Sequence, residues 1–103
     1  MIIDFKTIDG PVYSGRPRGE AQRERFALDE VDCDGEKTVD VSIPEATYSI
    51  TSSFFLGMFG PSVVRAGSPD AFFKKFHFIA KPVLQNAFQG YVENALQAKR
   101  LFS

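Results

Sequence analysis

The run Ser49-Ile50-Thr51-Ser52-Ser53 brings hydroxyls together where a short apolar strand should give way to a helix opening on Phe54-Phe55-Leu56. A helix start leaves backbone N–H groups without partners, so small polar residues there either cap the helix or hold an anion or a phosphoryl group. Ser52 or Ser53 is the expected cap, and the sequence leaves both readings open. Arg16, Arg18, Arg23 and Arg25, offset by Glu20 and Glu24, form a second cluster. Guanidinium groups grip carboxylate or phosphate in bidentate fashion, which makes Arg16, Arg18 and Arg23 candidate anion binders. The same residues also suit a charged helix face with i,i+4 pairs.

Other constellations fail on spacing. Ser49, Ser52 or Ser53 with His77 and a carboxylate has the residue types of a hydrolase triad, but no G-x-S-x-G elbow surrounds any of these serines. His77, between Phe76 and Phe78, reads as a structural histidine. Asp32-Cys33-Asp34-Gly35 superficially resembles a calcium loop. Setting Gly35 on that loop's invariant glycine puts Val41 where a bidentate carboxylate is required, so Asp29 to Glu36 reads as a solvated acidic loop. Gly15-Arg16-Pro17-Arg18-Gly19 lacks the Gly-Lys-Ser/Thr ending of a phosphate loop. Cys33 is the only cysteine, which excludes an intrachain disulfide and a cysteine-built zinc site. No catalytic residue, metal or cofactor is expected.

The elements that must position these groups follow from periodicity. Ile2, Ile3 and Phe5, then Asp9-Gly10 before Val12 and Tyr13, predict an N-terminal hairpin, with Pro11 favouring an edge. Gly19 to Leu28 reads as a short helix. Thr38 to Ile43 alternates, placing Val39, Val41 and Ile43 on one buried face of a strand that Pro44 ends. From Ser52, Phe55, Met58, Phe59, Ser62 and Val63 recur at helical spacing, while Gly57, Gly60 and Pro61 predict a kink or two short helices in tandem. Ala66-Gly67 is a stop, and Ser68-Pro69-Asp70 opens a helix to Phe76. His77 to Ala80 reads as a buried strand. Pro82 to Leu101 is a helix with Val83, Ala87, Tyr91 or Val92, Ala95 and Leu96 on its apolar face and Lys99 and Arg100 near its negative end. Adjacent aromatics such as Phe54-Phe55 and Phe72-Phe73 point about 100° apart on a helix, hinting at a poorly buried ring and a partner surface.

Alternating strands and helices predict an α/β fold: a small mixed sheet, the hairpin plus parallel strands, packed with three to four helices. With 103 residues the chain suits one domain spanning residues 1–103. Apolar residues at 44%, eleven of the residues being Phe, can supply its core. A net charge of −1 gives no overall field for nucleic acid or an anionic membrane. No apolar run approaches the roughly 18 residues of a membrane span, and a cytoplasmic location is expected.

The chain resembles the STAS-like domain family, small bacterial and phage domains distantly similar to anti-sigma-factor antagonists. The resemblance rests on Ser14-Gly15-Arg16 through Gly19 and Arg23, on Val39-Asp40-Val41, and on Ser52-Ser53-Phe54 with Met58-Phe59-Gly60-Pro61. It implies a STAS-like fold and a regulatory, non-catalytic module in signalling that binds a protein partner such as a histidine-kinase-type ATPase or anti-sigma factor. In the antagonists a serine after an aspartate at this helix start is phosphorylated. Ser52 falls on that serine and Thr51 on the aspartate, with Phe54 where the antagonists have Gly, so Thr51, Ser52 and Ser53 become the candidate partner surface. The alternative is a small enzyme or ligand-binding protein with an anion or phosphate site at the Ser49 to Ser53 turn.

Overall fold

The alternation beginning at Thr38 becomes strand β3 (Val39–Ser42), with Val39 and Val41 fully buried and Ile43 buried just past its end. In the computed structural model, which describes residues 1–8 and 10–102 and the side-chain surroundings of 1–8 and 10–98, β3 is the centre of a three-stranded sheet. Its neighbours are β1 (Ile2–Asp4) and β5 (Phe76–Ile79), both parallel to it. Strands β2 (Val12–Tyr13) and β4 (Ser49–Ile50) form a separate parallel pair. The fold is α/β, with five α-helices among the described residues: α1 (Arg16–Arg25), α2 (Leu28–Cys33), α3 (Ser52–Ala66), α4 (Pro69–Lys75) and α5 (Pro82–Phe102).

The expected N-terminal hairpin does not form, and every described strand pair is parallel. Asp4 supplies a reason: its carboxylate accepts the Lys6 N–H at 2.9 Å and its carbonyl the Thr7 hydroxyl at 2.8 Å, coiling Phe5–Thr7 into a 3-10 turn straight after β1. Asp9 of the expected tight turn, and the side chains of Lys99 and Arg100, lie outside the described residues.

Helix α3 is the hub, packing against α1, α2, α4 and α5. It runs as one 15-residue helix through Pro61, not as two in tandem. A helix that is apolar on several sides belongs inside a protein. That explains why Phe54 and Phe55 are both buried: Phe54 meets Phe5 and Tyr13, while Phe55 stacks on Phe88 at 5.0 Å and meets Phe78 and Tyr91. The expected poorly buried ring of that pair is therefore absent, and only Phe73 of the second pair is half-buried. Gly19 and Gly57 let α1 lie directly on α3: a Cβ on Gly19 would strike the Phe54 carbonyl oxygen, and one on Gly57 the Arg16 carbonyl oxygen.

Ser68 caps α4 through the Ala71 N–H at 3.1 Å, with Pro69 at the start and Asp70 in the first turn, as the local pattern predicts. Helix α5 buries Leu84, Phe88, Val92 and Leu96. Val83, expected on that face, is 65% exposed because the i,i+4 stripe starts one residue later.

Candidate functional site

The two clusters singled out by residue type have different fates. At the head of α3 the cap is Thr51, whose hydroxyl accepts the Phe54 N–H at 3.2 Å, and not Ser52 or Ser53. Thr51 takes this role because its own N–H is tied to the Tyr13 carbonyl at 2.9 Å, holding it extended at the end of β4. Ser52 and Ser53 are exposed in the first turn, and their hydroxyls make no hydrogen bond among the described residues.

Arg16, Arg18 and Arg23 do not converge. Arg16 and Arg18 are exposed, roughly 200° apart around α1. Arg23 is buried and all five of its N–H donors are used. Nε and Nη2 reach Asp29 Oδ1 at 2.9 and 2.6 Å, Nη2 also reaches Asp32 Oδ2 at 2.5 Å, and Nη1 serves the Met58 carbonyl and Ser62 Oγ, each at 2.9 Å. Ser62 in turn donates to Asp32 at 2.9 Å. Arg23 is therefore an internal clamp joining α1, α2 and α3, with no donor left for an anion.

The same clamp corrects the acidic loop. Leu28–Cys33 is helical, and the Asp32 side chain is only 6% exposed. Ala27, left-handed at φ 53°, turns the chain between α1 and α2 and returns the carboxylates to Arg23. A repulsive run in the sequence becomes a paired one once an arginine enters it.

His77 lies in no triad. Its Nδ1 faces Asp40 Oδ1 at 3.2 Å and its Nε2 the Lys74 carbonyl at 2.9 Å, an arrangement of one histidine between two acceptors. Cys33 is free and exposed. No group of three or more His, Cys, Asp or Glu among the described residues could hold a metal.

The feature that sequence reasoning missed is the outer face of the three-stranded sheet. Strand pairing places Ile2, Asp40 and His77 in one row across it, and Asp4, Ser42 and Ile79 in the next. The opposite face carries Ile3, Val39, Val41, Phe76 and Phe78, all buried. Parallel sheets are ordinarily covered on both faces. Here Ile2 is 72% and Ile79 60% exposed, and the Asp40 and His77 side chains are half exposed. Two isoleucines thus occupy opposite corners of a bare patch, with Asp40 and Ser42 on the central strand between them and Asp4 and His77 at the other two corners. Alternation in Phe76–Ile79 was a usable signal, since a strand buried on both faces would not carry His77.

No helix among the described residues is long and apolar enough to cross a membrane. Comparison with protein-family models, curated proteins and solved structures gives no match.

Proposed function

We propose that this chain is a non-catalytic regulatory module, cytoplasmic, that docks a helix of a protein partner on the bare face of its β1-β3-β5 sheet. The observation that carries the reading is the uncovered parallel sheet, with Ile2 and Ile79 exposed at opposite corners. Two strand spacings across and two residues along separate those corners by roughly 11–12 Å. Residues i and i+7 or i+8 of an α-helix lie roughly 10.5–12 Å apart, so one amphipathic helix laid diagonally meets both. Asp4 and Asp40 favour Lys or Arg on that helix beside its apolar stripe. The partner class implied by the resemblance is a histidine-kinase-type ATPase or anti-sigma factor, and Ser52 and Ser53 are the exposed hydroxyls that such a partner would modify.

Affinity purification from the native cell with wild type, the Ile2→Asp/Ile79→Asp double variant and Tyr48→Asp tests the reading. Tyr48 is 80% exposed and lies outside this sheet, so it controls for generic stickiness. The expected result is a protein retained by wild type and Tyr48→Asp and lost from the double variant, all three being folded. Identical retained sets, or self-association of the wild type in ultracentrifugation that the double variant abolishes, would overturn it.

A further inference from the structure

We propose that a second, separate site binds a small organic phosphate in the cleft between the α2–β3 connection, the end of α3 and α4. This cleft has a volume of about 480 Å³, and its walls carry four cations, Lys37, Arg65, Lys74 and Lys75. That volume is within the range of small-molecule sites. The side chains of Lys37, Arg65 and Lys74 make no hydrogen bond or ion pair among the described residues. Lys75 spends one of its donors on the Asp34 carbonyl at 2.6 Å.

The carboxylate in the wall, Asp32, offers these cations little, because Arg23 and Ser62 already hold it. Arg65, Lys74 and Lys75 do sit in last turns, where a base complements the helix dipole. Lys37 does not: it belongs to no helix, yet it lines the same cleft. Like charges gathered without counter-charge repel one another, and an anion entering between them relieves that repulsion.

One feature calls for a multiply charged anion, and another for an organic moiety attached to it. Three free cations match a group with two or more negative charges, to which the Thr38 hydroxyl, also on the wall, adds a neutral donor. Ala66, Ala71 and Gly35 give the cleft small, uncharged lining against which an organic moiety can lie. The site is distinct from the bare sheet face, so either proposal can fail without the other.

Calorimetric titration with AMP and with inorganic phosphate, at low and at physiological ionic strength, tests it. For AMP the expected result is saturable one-to-one binding with Kd below about 1 mM at low salt, tighter than inorganic phosphate and weakened by salt. Arg65→Gln and Lys74→Gln should each weaken AMP binding about tenfold, since each removes one charge-assisted contact. Arg16→Gln should leave it unchanged, and circular dichroism should show all variants folded. Absence of saturable AMP binding, equal affinity for AMP and inorganic phosphate, or undiminished binding by folded Arg65→Gln and Lys74→Gln would each overturn the proposal.

Discussion

The two faces of one sheet differ sharply although they share one backbone. On the inner face Phe76 and Phe78 join Phe55, Phe59 and Phe72 in a continuous set of ring contacts, and Val39 and Val41 are fully buried. On the outer face the same strands carry two exposed isoleucines, two aspartates, a serine and a histidine. Identical backbone pairing supports both, so what separates them is only which side the alternation points to and whether a helix lies there. The lesson is that strand pattern determines sidedness, while coverage is a property of the assembled layers.

The sharpest way to break this comparison is to place one charge on each face. Val41→Asp should unfold the domain, because an unpaired buried carboxylate costs several kcal/mol, comparable with the whole stability of a small domain. Ile79→Asp, on the outer side, should change stability by less than about 1 kcal/mol. Thermal melts followed by circular dichroism separate the two, and similar losses from both would mean that the outer face is not bare.

The arginine clamp comes next in expected size. Arg23→Ala strands the buried Asp32 carboxylate and should cost about 3–5 kcal/mol. Asp29→Ala removes the 88% exposed arm of the same cluster and should cost less than about 1 kcal/mol in urea denaturation. Equal losses would contradict the division of this cluster into a buried and an exposed half.

A smaller contrast concerns two glycines of α3. Gly57→Ala drives a methyl group into the Arg16 carbonyl and should destabilise by about 1–3 kcal/mol as α1 is forced away. At Gly60 the nearest atom to a new Cβ is Leu56 Cβ at 3.7 Å, an ordinary contact, so Gly60→Ala should stabilise by about 0.5–1 kcal/mol. Denaturation midpoints shifted from wild type in opposite directions are the expected readout.

Smallest is the pair at the head of α3. Thr51→Ala removes the cap and should cost about 1 kcal/mol. Ser52→Asp puts negative charge in the first turn, where the helix dipole favours it, and should be neutral or stabilising by about 0.3–1 kcal/mol.

What was legible in the sequence is what local chemistry decides. Ser68-Pro69-Asp70 carries its cap, its first-turn proline and its acid within three residues, and α4 starts there. Thr38 to Ile43 shows its sidedness by alternation alone. The acidic segment is not legible as a helix because its folding depends on Arg23 and on Ser62, the latter 30 residues from Asp32 in sequence. The hairpin failed for a related reason: β1 and β2 each have the composition of a strand, but their partners lie in β3 and β4. The bare patch was invisible because Ile2 and Ile79 share it only after β1, β3 and β5 are set in register. Composition alone marked the arginines as anion binders, and the fold spends Arg23 on the interior while leaving Lys37, Arg65 and Lys74 around a cleft.

The central claim, that the outer sheet face receives a partner helix, is tested most directly by photo-crosslinking from residue 79 in the native cell, with residue 48 as control. The account predicts one discrete adduct from position 79 whose crosslinked peptide is an amphipathic helix with basic residues flanking an apolar stripe, and none from position 48. No adduct from position 79, the same adducts from both positions, or a crosslinked peptide that is not helical would contradict it.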